Sequence, residues 1–185
     1  MEKKFLDIEN LQLKENANGK KEISGYASIF NNVDSYGDIV SQGAFSKTLK
    51  NKQKQVKLLF NHDKNFVIGV IKFIEQDEKG LFFIAELLDG VQLAEEVYIM
   101  LKNQALNGVS IGYYVEDYEK NKKGNKILKT IDLLEISIVT FPANEKATIE
   151  QVKSADSINE RIFDLYQKTQ KLNFNVKKLS NFFVN

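Results

Sequence analysis

The chain has 185 residues, close to one ordinary domain, and its 26 basic and 25 acidic side chains leave a net charge of +1. This balance gives no bulk attraction to nucleic acid or to an acidic membrane surface, and no apolar run reaches the roughly 20 residues of a membrane span. Cys is absent, which excludes thiolate catalysis, Cys-ligated metal sites and disulfides. The composition predicts a soluble intracellular protein with neither membrane nor nucleic acid as a partner.

Most of the first 150 residues are predicted to form β-strands. Short runs with β-type composition, separated by polar turns, occur at 21–30, 56–60, 66–74, 79–88, 108–118 and 126–141. Helices are predicted between them at 43–51 and at 91–106, where one apolar face ends at Asn107-Gly108. This order predicts a mainly β protein with helices (α+β), with a closed or partly closed antiparallel barrel in a domain spanning 1–150.

The last segment, 151–185, has a different pattern and is predicted to be a helical tail. From Ile158 to Phe183, residues recur along one seam in alternating steps of four and three, and Thr169 is the polar member of that seam. The segment carries six basic and three acidic side chains. Two interpretations remain open: a helix that packs on its own barrel, and a helix that self-associates or binds a scaffold helix.

Two residues are candidates for nucleophilic catalysis. Ser110 lies at the centre of Gly108-Val109-Ser110-Ile111-Gly112, which matches the G-x-S-x-G pattern around the nucleophile of α/β-hydrolases. The hydrolase fold itself is excluded, because the single His, His62, precedes the serine and no strand–helix alternation surrounds the motif. A serine nucleophile needs an adjacent base, and His62 is the one imidazole in the chain. The competing interpretation of His62 is a solvated or hydrogen-bonded structural histidine.

A carboxylate is the expected third member of such a site. Strand alternation puts Glu135 beside Ser137 on one face of the last long strand, among apolar neighbours. A carboxylate in an apolar strand is unfavourable without a partner, which favours a role for Glu135. An outward glutamate on an edge strand is the competing interpretation. Asp34 and Asp38, in an Asp- and Gly-rich turn, are reserve carboxylates.

Four sequence blocks, in this order and spacing, resemble the tailed-phage prohead maturation protease family. They are GYASIFNNVDSYGDIVSQGAF, LLFNHD with FVIGV, LNGVSIGYYV, and DLLEISIVTFPAN, and the resemblance runs from about residue 23 to residue 149. The family is distantly similar to the herpesvirus assemblins, which are serine proteases built on a seven-stranded barrel ringed by helices. The resemblance therefore implies an assemblin-like antiparallel barrel of about seven strands, flanked by helices.

The resemblance also implies roles for individual residues. The family's base falls on His62, its nucleophile on Ser110, and its acidic third member on Glu135. Assemblins use a second His and an Arg-assisted oxyanion site, whereas the single Arg here, Arg161, lies in the tail. The oxyanion donors are therefore backbone N–H groups or a side chain such as that of Asn144. No metal or cofactor is implied.

The predicted function is that of a serine endopeptidase that acts during phage head assembly. Its expected substrates are segments of the phage major capsid protein and scaffold, and the protease itself. Its expected location is the assembling prohead in the cytoplasm of the bacterial host, and its expected state is a homo-oligomer formed through the C-terminal helix. One alternative is a non-catalytic capsid assembly or scaffolding protein that uses the barrel and tail as docking modules. A second is a small barrel enzyme or binding domain without proteolytic activity.

Overall fold

The structure, a computed structural model, describes residues 20–51 and 53–150. In this part of the chain it has eight strands: β1 (Glu22–Ile29), β2 (Asp38–Val40), β3 (Lys57–Phe60), β4 (Asp63–Gln76), β5 (Gly80–Leu87), β6 (Gly108–Lys120), β7 (Lys126–Val139) and β8 (Ile149–Glu150). The helical elements are α1 (Ser46–Asn51), a 3₁₀ turn (Gln53–Gln55) and α2 (Gln92–Lys102). Neither α-helix is long and apolar enough to cross a membrane.

The strands and the two helices predicted between residues 21 and 141 are all present, with changed ends. The structure has eight described strands where about seven were predicted, because β2 and β8 have three and two residues and are too short to show a periodic pattern. Helix α2 ends at Lys102, four residues before the predicted end, and Gln104 then adopts a left-handed φ of 58°. The predicted C-terminal helix at 151–185 lies outside the described residues.

The sheet is mixed, and β7 is the reason. The strand order is β2-β7-β3-β4-β5-β1-β8, and β6 pairs with β7 as an antiparallel hairpin. Strands β2 and β3 both run parallel to β7, so the predicted antiparallel arrangement is wrong for these two pairs. Alternation of apolar and polar residues identifies strands but does not specify the direction of pairing between strands distant in sequence.

The ladders do not close the sheet into a ring. Its path runs from β2 to β8, and an isolated bridge between Gly108 and Thr148 connects the start of β6 to the residues just before β8. The described residues therefore form a mainly β fold with two short helices, and full closure of the barrel remains a prediction.

A single apolar core supports the strands that carry the candidate residues. Its fully buried side chains come from most strands and from α2, and include Ile23, Leu58, Ile68, Phe83, Leu101, Ile131 and Ile136. In β7, every residue from Glu135 to Val139 is buried. This half of β7 lies between β3 on one edge and β6 on the other. The segment Glu135–Val139, called the platform, is therefore held rigidly in the interior of the sheet.

Candidate active site

Ser110 lies near the start of β6, directly opposite Ser137 of β7, and is 6% exposed. The two glycines of its motif allow close packing around it. A Cβ atom at Gly108 would lie 2.6 Å from the Val139 carbonyl oxygen, and one at Gly112 would lie 2.2 Å from Glu135 Oε1. The G-x-S-x-G pattern is thus part of a strand here, where its second glycine leaves room for the carboxylate of Glu135.

His62 lies on the two-residue turn that joins β3 to β4. Both turn residues, Asn61 and His62, have left-handed φ angles, of 52° and 60°, as in a type I′ hairpin turn. Two successive amides fasten the turn to β7, because Asn61 N–H donates to the Ile138 carbonyl at 3.0 Å and His62 N–H donates to Ser137 Oγ at 3.1 Å. The parallel pairing of β3 with β7 therefore places the imidazole above the buried half of β7.

Glu135 is the carboxylate that contacts the imidazole. Its Oε1 lies 2.6 Å from His62 Nδ1, and its residue is 8% exposed. Since β7 is paired on both edges here, the interpretation as an outward glutamate on an edge strand is wrong. A carboxylate accepts hydrogen bonds, so Nδ1 carries the proton in the neutral ring and Nε2 remains as the basic nitrogen. The hydrogen bond and charge of Glu135 raise the pKa of His62 above its ordinary value, against the opposing effect of burial.

Ser110 and His62 line one cleft, with a volume of about 240 Å³. The imidazole remains accessible, since its side chain is 44% exposed. Within residues 20–51 and 53–150, no hydrogen bond joins Ser110 Oγ to His62. Catalytic hydrogen bonds are often long in enzymes without substrate and tighten when the substrate binds. The structure thus brings His62 and Glu135 into contact and places Ser110 in the same cleft.

The reserve carboxylates also line this cleft, where the carboxylate of Asp34 accepts hydrogen bonds from its own turn. Asp34 Oδ1 accepts the N–H groups of Tyr36, at 2.9 Å, and Asp38, at 2.8 Å. Burial raises the pKa of the Asp34 carboxyl, and burial together with the nearby charges of Asp34 and Asp38 raises the pKa of Tyr113 to about 12. In the described chain no group of three or more His, Cys, Asp or Glu residues is placed to hold a metal ion.

Asn144, whose side chain is a predicted candidate for the oxyanion site, lines the cleft and stabilises the loop after β7 by hydrogen bonds. Its Nδ2 donates to the Ile29 carbonyl at 3.1 Å, and its Oδ1 accepts from Asn32 Nδ2 at 3.1 Å and from Lys146 N at 3.2 Å. These contacts connect β1, the Asp-rich turn and the β7–β8 loop. They indicate that Asn144 shapes the cleft wall.

Two features of the site were not predicted from the sequence. The sequence pattern indicates only that Ser137 is a neighbour of Glu135, whereas in the structure its hydroxyl contacts both Glu135 and the backbone of His62. Two aromatic side chains at the cleft are largely exposed, Tyr36 at 81% and Phe141 at 90%. The signal for Ser137 is its polar side chain in the apolar run Ile136–Val139, which requires a buried partner.

Comparisons with known proteins identify the family of this chain. The model of a protein family described as caudovirus prohead serine protease matches residues 9–161. The chain belongs to this family. It is also 40% identical over 161 residues to the prohead protease of Enterobacteria phage HK97, a match covering 84% of this chain and 71% of the relative. The prohead protease of Escherichia phage T5 is 30% identical over 143 residues, covering 76% of this chain and 67% of that protein.

A solved structure shows the same fold at low sequence identity. The capsid assembly protease of bacteriophage T4 superposes with a TM-score of 0.56 at 14% identity, covering 65% of this chain and 81% of that one. This family member is therefore a prohead serine protease with a mainly β fold similar to that of the T4 capsid assembly protease. The non-proteolytic alternatives considered from the sequence are set aside by this membership.

Proposed function

We propose that this chain cleaves peptide bonds with Ser110 as nucleophile, His62 as general base and acid, and Glu135 as the group that orients the imidazole. The observation that carries the proposal is the bond from His62 Nδ1 to the buried Glu135 carboxylate, at the edge of the cleft that also contains Ser110. This contact fixes the tautomer in which Nε2 can accept a proton, as a serine nucleophile requires.

The proposed reaction has two halves. In the first, Ser110 Oγ attacks the scissile carbonyl carbon while its proton passes to His62 Nε2. The C–N bond then breaks, the imidazolium gives that proton to the departing amine, and an acyl-enzyme remains. In the second, His62 takes a proton from water, the resulting hydroxide attacks the ester, and the proton returns to Ser110 Oγ. Glu135 stabilises the imidazolium in both halves.

Backbone N–H groups are the proposed oxyanion donors. The carboxamide of Asn144 already donates to Ile29 and accepts from Asn32 and Lys146, which ties it to the loop. Backbone donors also need no side-chain reorganisation when charge develops on the oxyanion.

The proposed substrates are segments of the phage capsid protein and scaffold, and the protease itself, inside the assembling prohead of an infected bacterium. The names of the relatives support this assignment, since they are prohead proteases and a capsid assembly protease. We also propose that the barrel closes through the bridge between Gly108 and Thr148, and that residues 151–185 form a helix through which copies associate.

The test is co-expression of the full chain with the phage's own major capsid protein, followed by mass spectrometry of both proteins. We expect shortened capsid products with the wild-type protease and none with Ser110→Ala, because removing a serine nucleophile costs on the order of a millionfold in rate. Circular dichroism should show an unchanged fold in the variant.

The matched control is Ser24→Ala. Ser24 is a buried serine on β1 that pairs with β5 and β8 and does not line the cleft, and its loss should leave cleavage intact. Near wild-type cleavage by Ser110→Ala would refute the assignment of the nucleophile.

A further inference from the structure

Ser137 occupies the centre of the platform on which the proposed catalytic groups rest. It is fully buried at 0% exposure, and on β7 it pairs with Leu59 of β3 on one edge and with Ser110 of β6 on the other. Directly opposed residues in neighbouring strands have Cβ atoms about 5 Å apart. One buried hydroxyl thus lies between the strand that leads to His62 and the strand that carries Ser110.

The Ser137 hydroxyl makes two hydrogen bonds with opposite roles. It donates its proton to Glu135 Oε2 at 2.7 Å and accepts the backbone N–H of His62 at 3.1 Å. Both bonds can form together because a hydroxyl has one proton and two lone pairs. The direction of each bond is fixed by its partner, since a carboxylate only accepts and a backbone N–H only donates. Glu135 in turn uses its other oxygen, Oε1, for His62 Nδ1. The three groups form a closed ring of contacts around the base.

The backbone of His62 needs such a partner. Its φ of 60° lies in the left-handed region, which a residue with a Cβ atom occupies only when the surrounding structure holds it there. The Ser137 hydroxyl and the Ile138 carbonyl accept the two successive amides of the turn. The position of the imidazole is therefore set from β7 through the main chain, as well as through the Glu135 side chain.

We propose that Ser137 is a positioning residue, whose hydroxyl holds the Glu135 carboxylate and the His62 backbone in register so that the imidazole faces the cleft. The proposal rests on the proposed roles of His62 and Glu135. Ser137 is not a second nucleophile, because it is fully buried and its proton is donated to Glu135.

The first measurement determines the pKa of the His62 imidazole and does not require catalysis. His62 is the single His of the chain, so the imidazole Hε1 resonance followed in an NMR titration belongs to it without further assignment. The titration uses the full chain with Ser110→Ala, which prevents self-cleavage, alone and combined with Ser137→Ala or Ser24→Ala. We expect Ser137→Ala to lower the pKa of His62 toward about 6.5, the value for a free imidazole, because the turn loosens and the contact with Glu135 is less populated. Ser24→Ala should leave the titration unchanged.

The second measurement is kinetic, on chains that keep Ser110, with a peptide that spans a cleavage site mapped in the co-expression experiment. We expect Ser137→Ala to lower kcat about ten- to hundredfold with little change in KM, as for the loss of a hydrogen bond to a charged group. Ser137→Thr, which keeps the hydroxyl, should restore most of kcat and of the His62 pKa. If Ser137→Ala does not fold, Ser137→Cys replaces it, since a thiol is nearly isosteric and a weak hydrogen-bonding group.

The outcomes separate positioning from packing. A lowered His62 pKa together with a lowered kcat, both recovered in Ser137→Thr, supports the proposal. An unchanged or raised His62 pKa in the Ala or Cys variant overturns it, even where activity falls with thermal stability. Such a result does not refute the proposed function. The result that would refute that function is a different one, near wild-type cleavage by the Ser110→Ala variant.

Discussion

The two ends of the β6–β7 hairpin differ sharply in burial, although the same two strands form both. At the end that holds the candidate site, β6 is buried from Gly108 to Ser110 and β7 from Glu135 to Val139. At the turn end, β6 is exposed from Tyr114 to Lys120, and β7 alternates between buried and exposed residues.

The carboxylates at the two ends show what this difference means. Glu119, near the turn, pairs with Lys129 at 2.9 Å, and both side chains are exposed to water. Glu135 is buried and depends on His62 and Ser137 for its hydrogen bonds. Water replaces a lost partner at the exposed end, whereas a lost partner at the buried end leaves a charge or a donor unsatisfied. Substitutions of similar size should therefore have very different effects at the two ends.

The largest effect is expected for His62→Ala. Loss of the general base should reduce peptide cleavage by about as much as Ser110→Ala does, and the double variant should be no worse than either single variant, because the two groups act as a unit. Single-turnover kinetics on all three variants would measure this. Losses that add in the double variant would show that the two residues act independently.

Glu135→Gln should have the next largest effect, a loss of roughly a hundred- to ten-thousandfold in kcat, as for orienting carboxylates elsewhere. It should also change the pH profile. His62 acts as a base when deprotonated, and Glu135 raises its pKa, so the ascending limb of kcat/KM should lie above the ordinary histidine range in the wild type. Replacing the carboxylate by a neutral amide should move that limb to lower pH.

Asp132→Asn is the control for Glu135→Gln, since it makes the same change of charge on the same strand, three residues away. It should leave both the rate and the pH profile near those of the wild type. If Asp132→Asn, Asp34→Asn or Asp38→Asn is severely impaired while Glu135→Gln is normal, the third member of the site has been misassigned.

Gly112→Ala should produce a smaller loss of kcat, about ten- to hundredfold. The added methyl would lie 2.2 Å from Glu135 Oε1 and 2.8 Å from its Cδ, so the carboxylate must shift, which disturbs the contact of Oε1 with His62 Nδ1. Because both changes act on one contact, Gly112→Ala combined with Glu135→Gln should cost little more than Glu135→Gln alone. Full additivity in this cycle would locate the effect of Gly112 elsewhere.

The smallest effect is expected at the exposed end, for Glu119→Gln. Breaking the exposed pair with Lys129 should change the free energy of unfolding by less than about 1 kcal/mol and leave cleavage unchanged. Urea denaturation monitored by circular dichroism would measure it. A loss of several kcal/mol would mean that the two ends of the hairpin are more alike than their burial indicates.

The sequence predicts strands well and their pairing poorly, for a physical reason. Residues 126–141 alternate strongly enough to predict β7 within two residues of its observed end, but nothing local shows that β3 runs parallel to it. Likewise, the lone His62 and the serine motif identify two candidate groups. The contact of His62 with Glu135 depends on that parallel pairing and on a left-handed turn, which the dipeptide Asn61-His62 signals only weakly.

The parallel contact between β3 and β7 also determines when the base can be positioned during synthesis. A nascent chain that ends with β6 already contains His62 and Ser110, but it lacks Glu135 and Ser137, which lie 73 and 75 residues after the histidine. At roughly 5–20 residues per second, several seconds pass between translation of the histidine and of the strand that anchors it. Until then the imidazole lacks the carboxylate of Glu135, and the turn amides lack their acceptors on β7. A growing polypeptide therefore cannot assemble this site before most of its sheet has been translated.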